Sequence, residues 1–304
     1  MKYGVLLVDG QPTLGTLIGD RWVDLGRATV DYHRMVEGND VARPRDVGDL
    51  LRNGWMNRSS YRRIAEFVQR HGRLSDYALA ETEQSFMLPW RPGKVIGIGR
   101  NFRAHVAEFD NKLPQEPVYF AKAPTSCVGP GESIIIGPDY GRVDYEGELG
   151  VVIGGRGRHV SVEGARALVA GYTLVNDVTA RDVQRQDMAD GNPWFRSKSA
   201  DTFCPMGPVV VMAEVLEWPV LTPLETRVNG AVKQQSDTGR FIFSIAEVIA
   251  AITRFITLEP GDLISMGTPE GVGPLRDGDV VEVANPQIGV LRNPVRNSHP
   301  VAQS

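Results

Sequence analysis

The sequence predicts an α+β fold that is rich in β-strands, with a small N-terminal α/β domain in front of a larger sheet domain. The first ninety residues open on short strands separated by Asp-Gly and Gly-Asp turns, and helical patterns follow them. The rest of the chain is dominated by short β-branched runs bounded by Gly, Pro, Asp or Asn. A length of 304 residues, 42% of them hydrophobic and 23% charged, is ordinary for a globular protein of one large or two unequal domains.

The small domain is predicted over residues 1–90. Strands are expected over 3–8, 13–18 and 21–25 as an antiparallel meander, and helices over about 28–37, 45–53 and 60–71. The last helix has an apolar face formed by Ile64, Phe67 and Val68, with Ser59 and Ser60 as its expected N-terminal cap. The helix-breaking run at residues 89–93 marks the domain boundary.

The larger domain is predicted over residues 91–304. Asn229-Gly230 is a strong signal for a two-residue hairpin turn. Ser244 and Glu247 form a capping box that opens a helix over 245–255, and a second helix is expected over 162–168. The strands are expected over residues 95–98, 133–136, 147–153, 172–175, 209–211, 225–228, 262–266 and 280–283.

Composition excludes several classes of protein. Cys127 and Cys204 are too few and too widely spaced for a disulfide framework, which fits a reducing compartment. No apolar run reaches the roughly 18 residues of a membrane span, and the N-terminus lacks the apolar region of a signal peptide. A net charge of −4 argues against a nucleic-acid partner. We therefore expect a cytoplasmic protein that binds neither membranes nor nucleic acids.

The densest group of acidic residues alternates along one predicted strand. Asp144, Glu146 and Glu148 would point to one face of that strand, where buried carboxylates need protons or a cation. Asp177 follows the next apolar strand and would join them if the two strands are neighbours. Such an all-oxygen cluster suits Mg²⁺, Mn²⁺ or Ca²⁺ and not zinc. A charged sheet edge that prevents aggregation is the alternative interpretation.

A histidine and a glutamate three residues apart form a second candidate. His105 and Glu108 share one face of a helix, where the carboxylate can orient the imidazole and raise its basicity. The pair could activate water, or it could be an ordinary surface pair. The glycines at 97 and 99 lack the third glycine of a dinucleotide-binding loop, so that function is rejected.

Possible anion-binding groups lie in two further segments. Arg181, Gln184 and Lys198 offer donors to an anionic substrate, and Lys198 is one of only six lysines among 33 basic residues. In the loop over 267–274, the backbone amides and the hydroxyl of Thr268 could hold a carboxylate. Ordinary turn chemistry explains either segment equally well.

Six ordered motifs between about residues 94 and 285 together resemble the fumarylacetoacetate hydrolase (FAH) family. They are GxxxNFRAHVAE, DYEGELGVVIG, GYTLVNDVTARDVQ, KSADTFCPMGP, VNG and LEPGDLISMGTPEGVG. The resemblance implies an FAH-type mixed β-sandwich roll and a homodimer. A small N-terminal domain of about this size is common in the family.

The resemblance also implies roles for individual residues. Two positions depart from the family: Phe102 stands where tyrosine is expected, and Asn101 stands where fumarylacetoacetase proper has a further metal-ligating aspartate. A three-carboxylate metal site is therefore expected. The implied roles are metal ligation of Mg²⁺ or Mn²⁺ by Glu146, Glu148 and Asp177, catalysis by His105, Glu108 and Lys198, and substrate binding by Gln184, Thr268 and Arg181.

The implied activity is hydrolysis of a C–C bond in an acylpyruvate-type 2-oxo acid through a metal-stabilised pyruvate enolate. Lys198 would stabilise the developing charge, and His105, oriented by Glu108, would deliver water to the distal carbonyl. The alternatives are oxaloacetate decarboxylation, isomerisation of 2-hydroxyhepta-2,4-diene-1,7-dioate and hydrolysis of a deoxy-2-oxo sugar acid. A non-catalytic metal-binding relative is a fourth alternative, but it would be expected to lose one of these three residues.

Overall fold

The computed structural model describes residues 1–70, 74–79, 85–108 and 112–298. The strands in those ranges are β1 Lys2–Val8, β2 Gln11–Ile18, β3 Arg21–Asp24, β4 Phe86–Met87, β5 Val95–Gly99, β6 Val118–Lys122, β7 Cys127–Val128, β8 Ile134–Ile136, β9 Val143–Tyr145, β10 Gly147–Ile153, β11 Val169–Asn176, β12 Thr179–Ala180, β13 Cys204–Met212, β14 Pro223–Val228, β15 Ala231–Asp237, β16 Leu263–Ser265, β17 Gly273–Pro274, β18 Val280–Asn285 and β19 Gly289–Asn297. The helices are α1 Leu25–Tyr32, which continues as a π-helical turn over His33–Glu37, α2 Val47–Arg52, α3 Arg58–Arg70, α4 Leu74–Tyr77, α5 Arg103–Glu108, α6 Arg181–Ala189, α7 Phe195–Lys198 and α8 Ile245–Thr253.

Three sheets organise these strands within the described ranges. The largest has the order β3-β2-β1-β13-β11-β10-β16-β5-β6, with β4 on β1 and β7 on β13. The others have the orders β12-β9-β17 and β15-β14-β18-β19-β8. Antiparallel pairs dominate, and β5 joins β16 in parallel. This mixture of sheets with a few helices is the predicted α+β fold.

The N-terminal strands are part of the largest sheet. β1, β2 and β3 form the predicted antiparallel meander. β1 then pairs with β13, with Lys2 opposite Val211 and Tyr3 opposite Val210. One sheet therefore continues across the predicted boundary near residue 90, and the division into two domains stays a prediction.

Two of the predicted helix starts are wrong by a few residues. α3 begins at Arg58, and the side chain of Asn57, not Ser59 or Ser60, accepts a hydrogen bond from Ser60 N at 2.9 Å. α1 begins at Leu25 because Asp24 caps it by accepting from Arg27 N at 2.8 Å. The last residue of the helix predicted over 60–71 lies outside the described residues, and Ile64, Phe67 and Val68 are buried as expected.

Of the two helices predicted in the larger domain, one is present and the other is not. Only a short 3-10 turn, Ala165–Leu168, forms within 162–168, because β11 begins at the next residue and leaves no room for an α-helix. The capping box of Ser244 and Glu247 is confirmed, although α8 ends at Thr253 and not at 255. Asn229 and Gly230 adopt φ angles of 53° and 79° between β14 and β15, as the hairpin turn requires.

The central strands of the large sheet are buried on both faces. Every residue of β10, β11 and β13 is buried, and apolar clusters pack against the sheet from either side. A polar side chain on these strands therefore lies in a region of low dielectric, where its charge must be matched. No helix in the described ranges is both long and apolar enough to span a membrane.

Candidate metal centre and active site

A break between two strands brings the acidic residues together. β9 ends at Tyr145 and β10 starts at Gly147, so Glu146 lies between them. Asp177 N donates to Glu146 O at 2.8 Å, and Glu146 N donates to the side chain of Asn176 at 2.9 Å. Because β10 and β11 are antiparallel neighbours, Asp177 lies beside Glu146 as the sequence predicted.

Three buried carboxylates form a compact cluster at this break. One oxygen from each of Glu146, Glu148 and Asp177 lies within 4.8 Å of the others, and all three residues are buried. Several carboxylate oxygens at such separations match the donor set of Mg²⁺, Mn²⁺ or Ca²⁺.

Asp144 does not join this cluster. Its carboxylate accepts from Arg142 Nε at 2.7 Å and from Arg181 Nε at 2.9 Å. Asp144 and Glu146 contact the same guanidinium, that of Arg181, so Asp144 borders the cluster without being one of its three carboxylates. Asp144 instead orients Arg181.

Two lysines and an arginine form ion pairs with Glu146 and Asp177, two of the three carboxylates. Lys198 Nζ donates to Glu146 Oε2 at 2.7 Å and to Asp177 Oδ2 at 2.5 Å. Lys122 Nζ donates to Asp177 Oδ1 at 2.6 Å, and Arg181 pairs with Glu146. Lys122 was not predicted as a site residue, and the scarcity of lysine was the one sequence signal that could have indicated it.

The acidic and basic groups of this network stabilise one another in their charged forms. Burial alone would raise the pKa of Glu146, but Lys198 and Arg181 hold that pKa well below its ordinary value. Burial alone would lower the pKa of Lys198, but Asp177 and Glu146 raise it above its ordinary value. Lys198 is therefore a fixed positive charge at the base of the site.

Glu148 is the carboxylate of the cluster that no cation contacts within the described chain. Its Oε2 accepts from Ser265 Oγ at 2.6 Å and from Gly267 N at 2.7 Å. Burial raises the pKa of Glu148 well above its ordinary value, and the neighbouring carboxylates of Asp177 and Glu146 raise it further. Glu148 therefore has no cationic side chain in contact with it among the described residues, and the oxygen atoms of the three carboxylates fit a divalent cation.

A cavity of about 190 Å³ opens onto the cluster. Its wall includes the candidate catalytic residues His105 and Lys198 and the candidate substrate-binding residues Gln184, Thr268 and Arg181. The predicted site residues are therefore brought together around one cavity, with Glu108 behind His105.

His105 and Glu108 form the pair expected from their spacing on α5. His105 Nδ1 lies 3.2 Å from Glu108 Oε2, and Glu108 Oε1 accepts from Gly271 N at 3.2 Å. The second contact ties α5 to the loop after β16. Because only 12% of the His105 side chain is exposed and it lines the cavity, the imidazole can exchange a proton with a bound molecule.

All three predicted substrate-binding residues also form hydrogen bonds within the protein. Thr268 Oγ1 donates to Gly147 O at 3.0 Å and accepts from Gln234 Nε2 at 2.8 Å. Arg181 Nη1 donates to Gln184 Oε1 at 2.7 Å, in addition to its contacts with the acids. The buried Gln234 was missed, because nothing in the sequence of β15 distinguishes it from an ordinary strand residue.

Asn101 anchors the turn that precedes α5 and makes no contact with the carboxylate cluster. It is completely buried. Its amide donates to Met266 O at 2.9 Å and to Phe243 O at 3.2 Å, and its Oδ1 accepts from Phe243 N at 2.8 Å. Phe102 is also buried and packs edge-to-face on Phe241 with ring centroids 5.0 Å apart.

We expect Asn101→Ala to lower the free energy of unfolding by about 2–4 kcal/mol, because it leaves buried backbone groups without partners. Urea denaturation measures this change. Asn192→Ala, at an exposed loop residue, should change stability by less than about 0.5 kcal/mol. Equal midpoints for the two variants would contradict the anchoring role of Asn101.

Comparison with known proteins identifies the family. The model of the fumarylacetoacetate (FAA) hydrolase C-terminal domain matches residues 94–296. The chain belongs to the fumarylacetoacetate hydrolase family. The matched range contains every residue of the carboxylate cluster and of the cavity wall described above.

Members of the FAH family that resemble this chain carry the names of enzymes. The mitochondrial oxaloacetate tautomerase Fahd2a of Rattus norvegicus is 39% identical over 280 residues, which cover 89% of this chain and 85% of the relative. The solved 5-carboxymethyl-2-hydroxymuconate delta-isomerase of Mycobacterium smegmatis is 31% identical with a TM-score of 0.73, and the alignment covers 98% of this chain and 100% of that one. The solved fumarylacetoacetate hydrolase of Exiguobacterium antarcticum is 32% identical with a TM-score of 0.75 at the same coverage.

These names span three reactions: tautomerisation, isomerisation and hydrolysis. They support an enzyme of the FAH family that acts on a small molecule. The residues of the cavity are therefore the basis for choosing among the three reactions.

Proposed function

We propose that the protein is a metal-dependent enzyme that moves a proton at the carbon beside the keto group of a 2-oxo acid, with keto–enol tautomerisation of oxaloacetate as its reaction. The observation that carries this proposal is the placement of His105 and Lys198 on one cavity with the cluster of three carboxylates. The tautomerase name of a relative that aligns with 89% of the chain supports the choice of reaction.

The cluster Glu146, Glu148 and Asp177 would hold Mg²⁺ or Mn²⁺. When bound, such a cation polarises the carboxylate and keto oxygens of a 2-oxo acid and so acidifies the neighbouring C–H bond. Lys198, held at 2.7 and 2.5 Å from two of these carboxylates, adds a second positive charge where negative charge develops on the substrate.

His105 is the proposed proton carrier. Glu108 contacts the ring at Nδ1 and orients the imidazole, which lines the cavity. In tautomerisation a proton leaves the enol oxygen and another reaches the neighbouring carbon, so no co-reactant is consumed. Phe120 and Trp194 form an aromatic wall of the same cavity.

Hydrolysis of an acylpyruvate is the second candidate, and it was the first choice from sequence alone. The contact between Glu108 and His105 favours it, because the same pair can activate a water molecule for attack on a distal carbonyl. The water hydroxyl would then join the released acid, and the pyruvate carbon would take the proton. A homodimer, a cytoplasmic location and the domain division near residue 90 also remain proposals.

Removal of metal tests the proposal. We expect protein stripped with EDTA and dialysed to lose at least about 90% of its acceleration of enol-oxaloacetate decay, because the cation that would polarise the keto oxygen of the substrate is then absent. Readdition of Mg²⁺ or Mn²⁺ should restore the rate, which ultraviolet absorbance of the enol follows. Buffer with the same metal and no protein is the control. Full activity of the stripped protein would contradict the proposal.

A further inference from the structure

An arginine outside the metal centre shares the cavity wall. The Arg100 guanidinium lies over the ring of Trp194, 5.6 Å from its centroid, and Trp194 lies 5.8 Å from Phe120. Lys198 Nζ lies over the other aromatic ring, 4.9 Å from the centroid of Phe120. Each of the two aromatic rings therefore carries a cation: Lys198, which contacts the carboxylate cluster, lies over Phe120, and Arg100, which contacts none of its carboxylates, lies over Trp194.

Arg100 differs from the other lysine and arginine residues that line the cavity. Lys198 and Arg181 are paired with acids of the cluster, and Arg185 lies 3.1 Å from Asp182. No acidic residue in the described ranges forms an ion pair with Arg100, whose guanidinium stacks on the face of Trp194. A half-buried guanidinium stacked on an aromatic ring is weakly hydrated and already oriented, so it can bind an anion at low cost.

The backbone of Arg100 is held in an unfavourable conformation. Its φ of 59° lies in the left-handed region, which is unfavourable for a residue with a side chain. The hydrogen bonds of the adjacent Asn101 fix this turn, and Gly99 makes room for the stack, since a Cβ there would lie 2.8 Å from Trp194 Cζ3. A glycine at position 100 would form the same turn without strain, so the arginine side chain is the feature that the turn presents to the cavity.

We propose that Arg100 binds the second carboxylate of a dicarboxylic 2-oxo acid and so determines the specificity of the cavity for dianionic substrates. This inference rests on the proposed function, which places the 2-oxo acid head at the carboxylate cluster. The far end of the substrate then extends along Phe120 and Trp194 towards Arg100. A methyl group at that end would leave the guanidinium without an anionic partner.

Matched pairs of ligands test this assignment by binding, without turnover. Each pair has the same chain length and differs only in a terminal carboxylate or methyl group: 2-oxoglutarate with 2-oxopentanoate, and 2-oxoadipate with 2-oxohexanoate. Calorimetric titration of the Mg²⁺-loaded protein should give at least about tenfold tighter binding of the dicarboxylate in one or both pairs, as expected for one charge-assisted hydrogen-bonded contact.

Arg100→Met keeps much of the side-chain length and removes the charge. We expect it to reduce the ratio within the discriminating pair to about one, while binding of the monocarboxylate changes by less than about twofold. Arg103→Met is the matched control, because Arg103 is exposed on α5 and does not line the cavity, and it should preserve the ratio. Circular dichroism confirms that both variants fold.

Three results would overturn the assignment: equal binding of both members of every pair by the unaltered protein, a preference that survives Arg100→Met, or a preference that Arg103→Met removes as well. Failure of the proposed function and failure of the Arg100 assignment give different results. A protein that shows an Arg100-dependent preference but turns over no 2-oxo acid contradicts the proposed function alone. A protein that turns over oxaloacetate with an unaltered preference in Arg100→Met contradicts the Arg100 assignment alone.

Discussion

Replacing His105 with alanine should lower kcat by about 10²–10⁴-fold while leaving metal affinity within about twofold of the original value. His105 lines the cavity and is none of the three clustered carboxylates, so its loss removes the proposed proton carrier and no proposed metal ligand. Initial rates of enol-oxaloacetate decay and calorimetric titration of Mg²⁺ measure the two effects separately.

The matched control for this variant is His159→Asn. His159 is exposed, and its positive φ of 55° is a conformation that asparagine tolerates well. The kcat of Glu108→Gln should lie between those of His105→Ala and His159→Asn, because this change weakens the contact with His105 Nδ1 but leaves the imidazole in place. Unchanged kcat in His105→Ala would remove this residue from the mechanism.

Replacing Glu148 with glutamine should weaken Mg²⁺ or Mn²⁺ binding by about a hundredfold or more and abolish turnover at ordinary metal concentrations. Glu148 is the cluster carboxylate that no cationic side chain contacts among the described residues, so a bound metal would be its direct cationic partner. The glutamine oxygen can still accept from Ser265 and Gly267, so we expect the metal-free variant to be at least as stable as the original protein.

Thermal unfolding with and without metal checks this prediction. Saturating metal should raise the Tm of the original protein, because a ligand that binds only the folded state stabilises it, and should not raise the Tm of Glu148→Gln. Glu116→Gln is the control, since the Glu116 side chain is 73% exposed and distant in sequence from the cluster, and it should respond like the original protein. An equal metal-induced shift in Glu148→Gln would contradict a metal centre at this cluster.

The parts of the fold and site that sequence could predict depend on local pattern. Acidic residues that alternate just before and within an apolar strand identified Glu146 and Glu148 as candidates, and the end of the next strand identified Asp177. The prediction that they cluster then depended only on β10 and β11 being neighbours. The spacing of His105 and Glu108 was enough to predict their contact, because helix geometry is local.

Other features depend on long-range geometry that one sequence does not reveal. Asp144 fits the alternating pattern, but its carboxylate contacts Arg181 and Arg142 and is not part of the cluster. Lys122 reaches Asp177 from β6, at the edge of the largest sheet.

The stacking of Arg100 on Trp194 joins two segments almost a hundred residues apart in the chain. The short turn at Ala165–Leu168 reflects the position of β11, which outweighed the local helical pattern. Neither feature follows from the residues beside it.

Exchange of the C3 protons of oxaloacetate for deuterium tests the central claim most directly. Proton NMR in D₂O should show that the Mg²⁺-loaded protein accelerates this exchange above the rate of buffer with Mg²⁺, that EDTA-stripped protein does not, and that His105→Ala loses most of the acceleration. The same spectra register pyruvate if decarboxylation competes. Exchange at the buffer rate with the metal-loaded protein, or acceleration that survives both removal of the metal and loss of His105, would contradict metal-dependent proton transfer at this cavity.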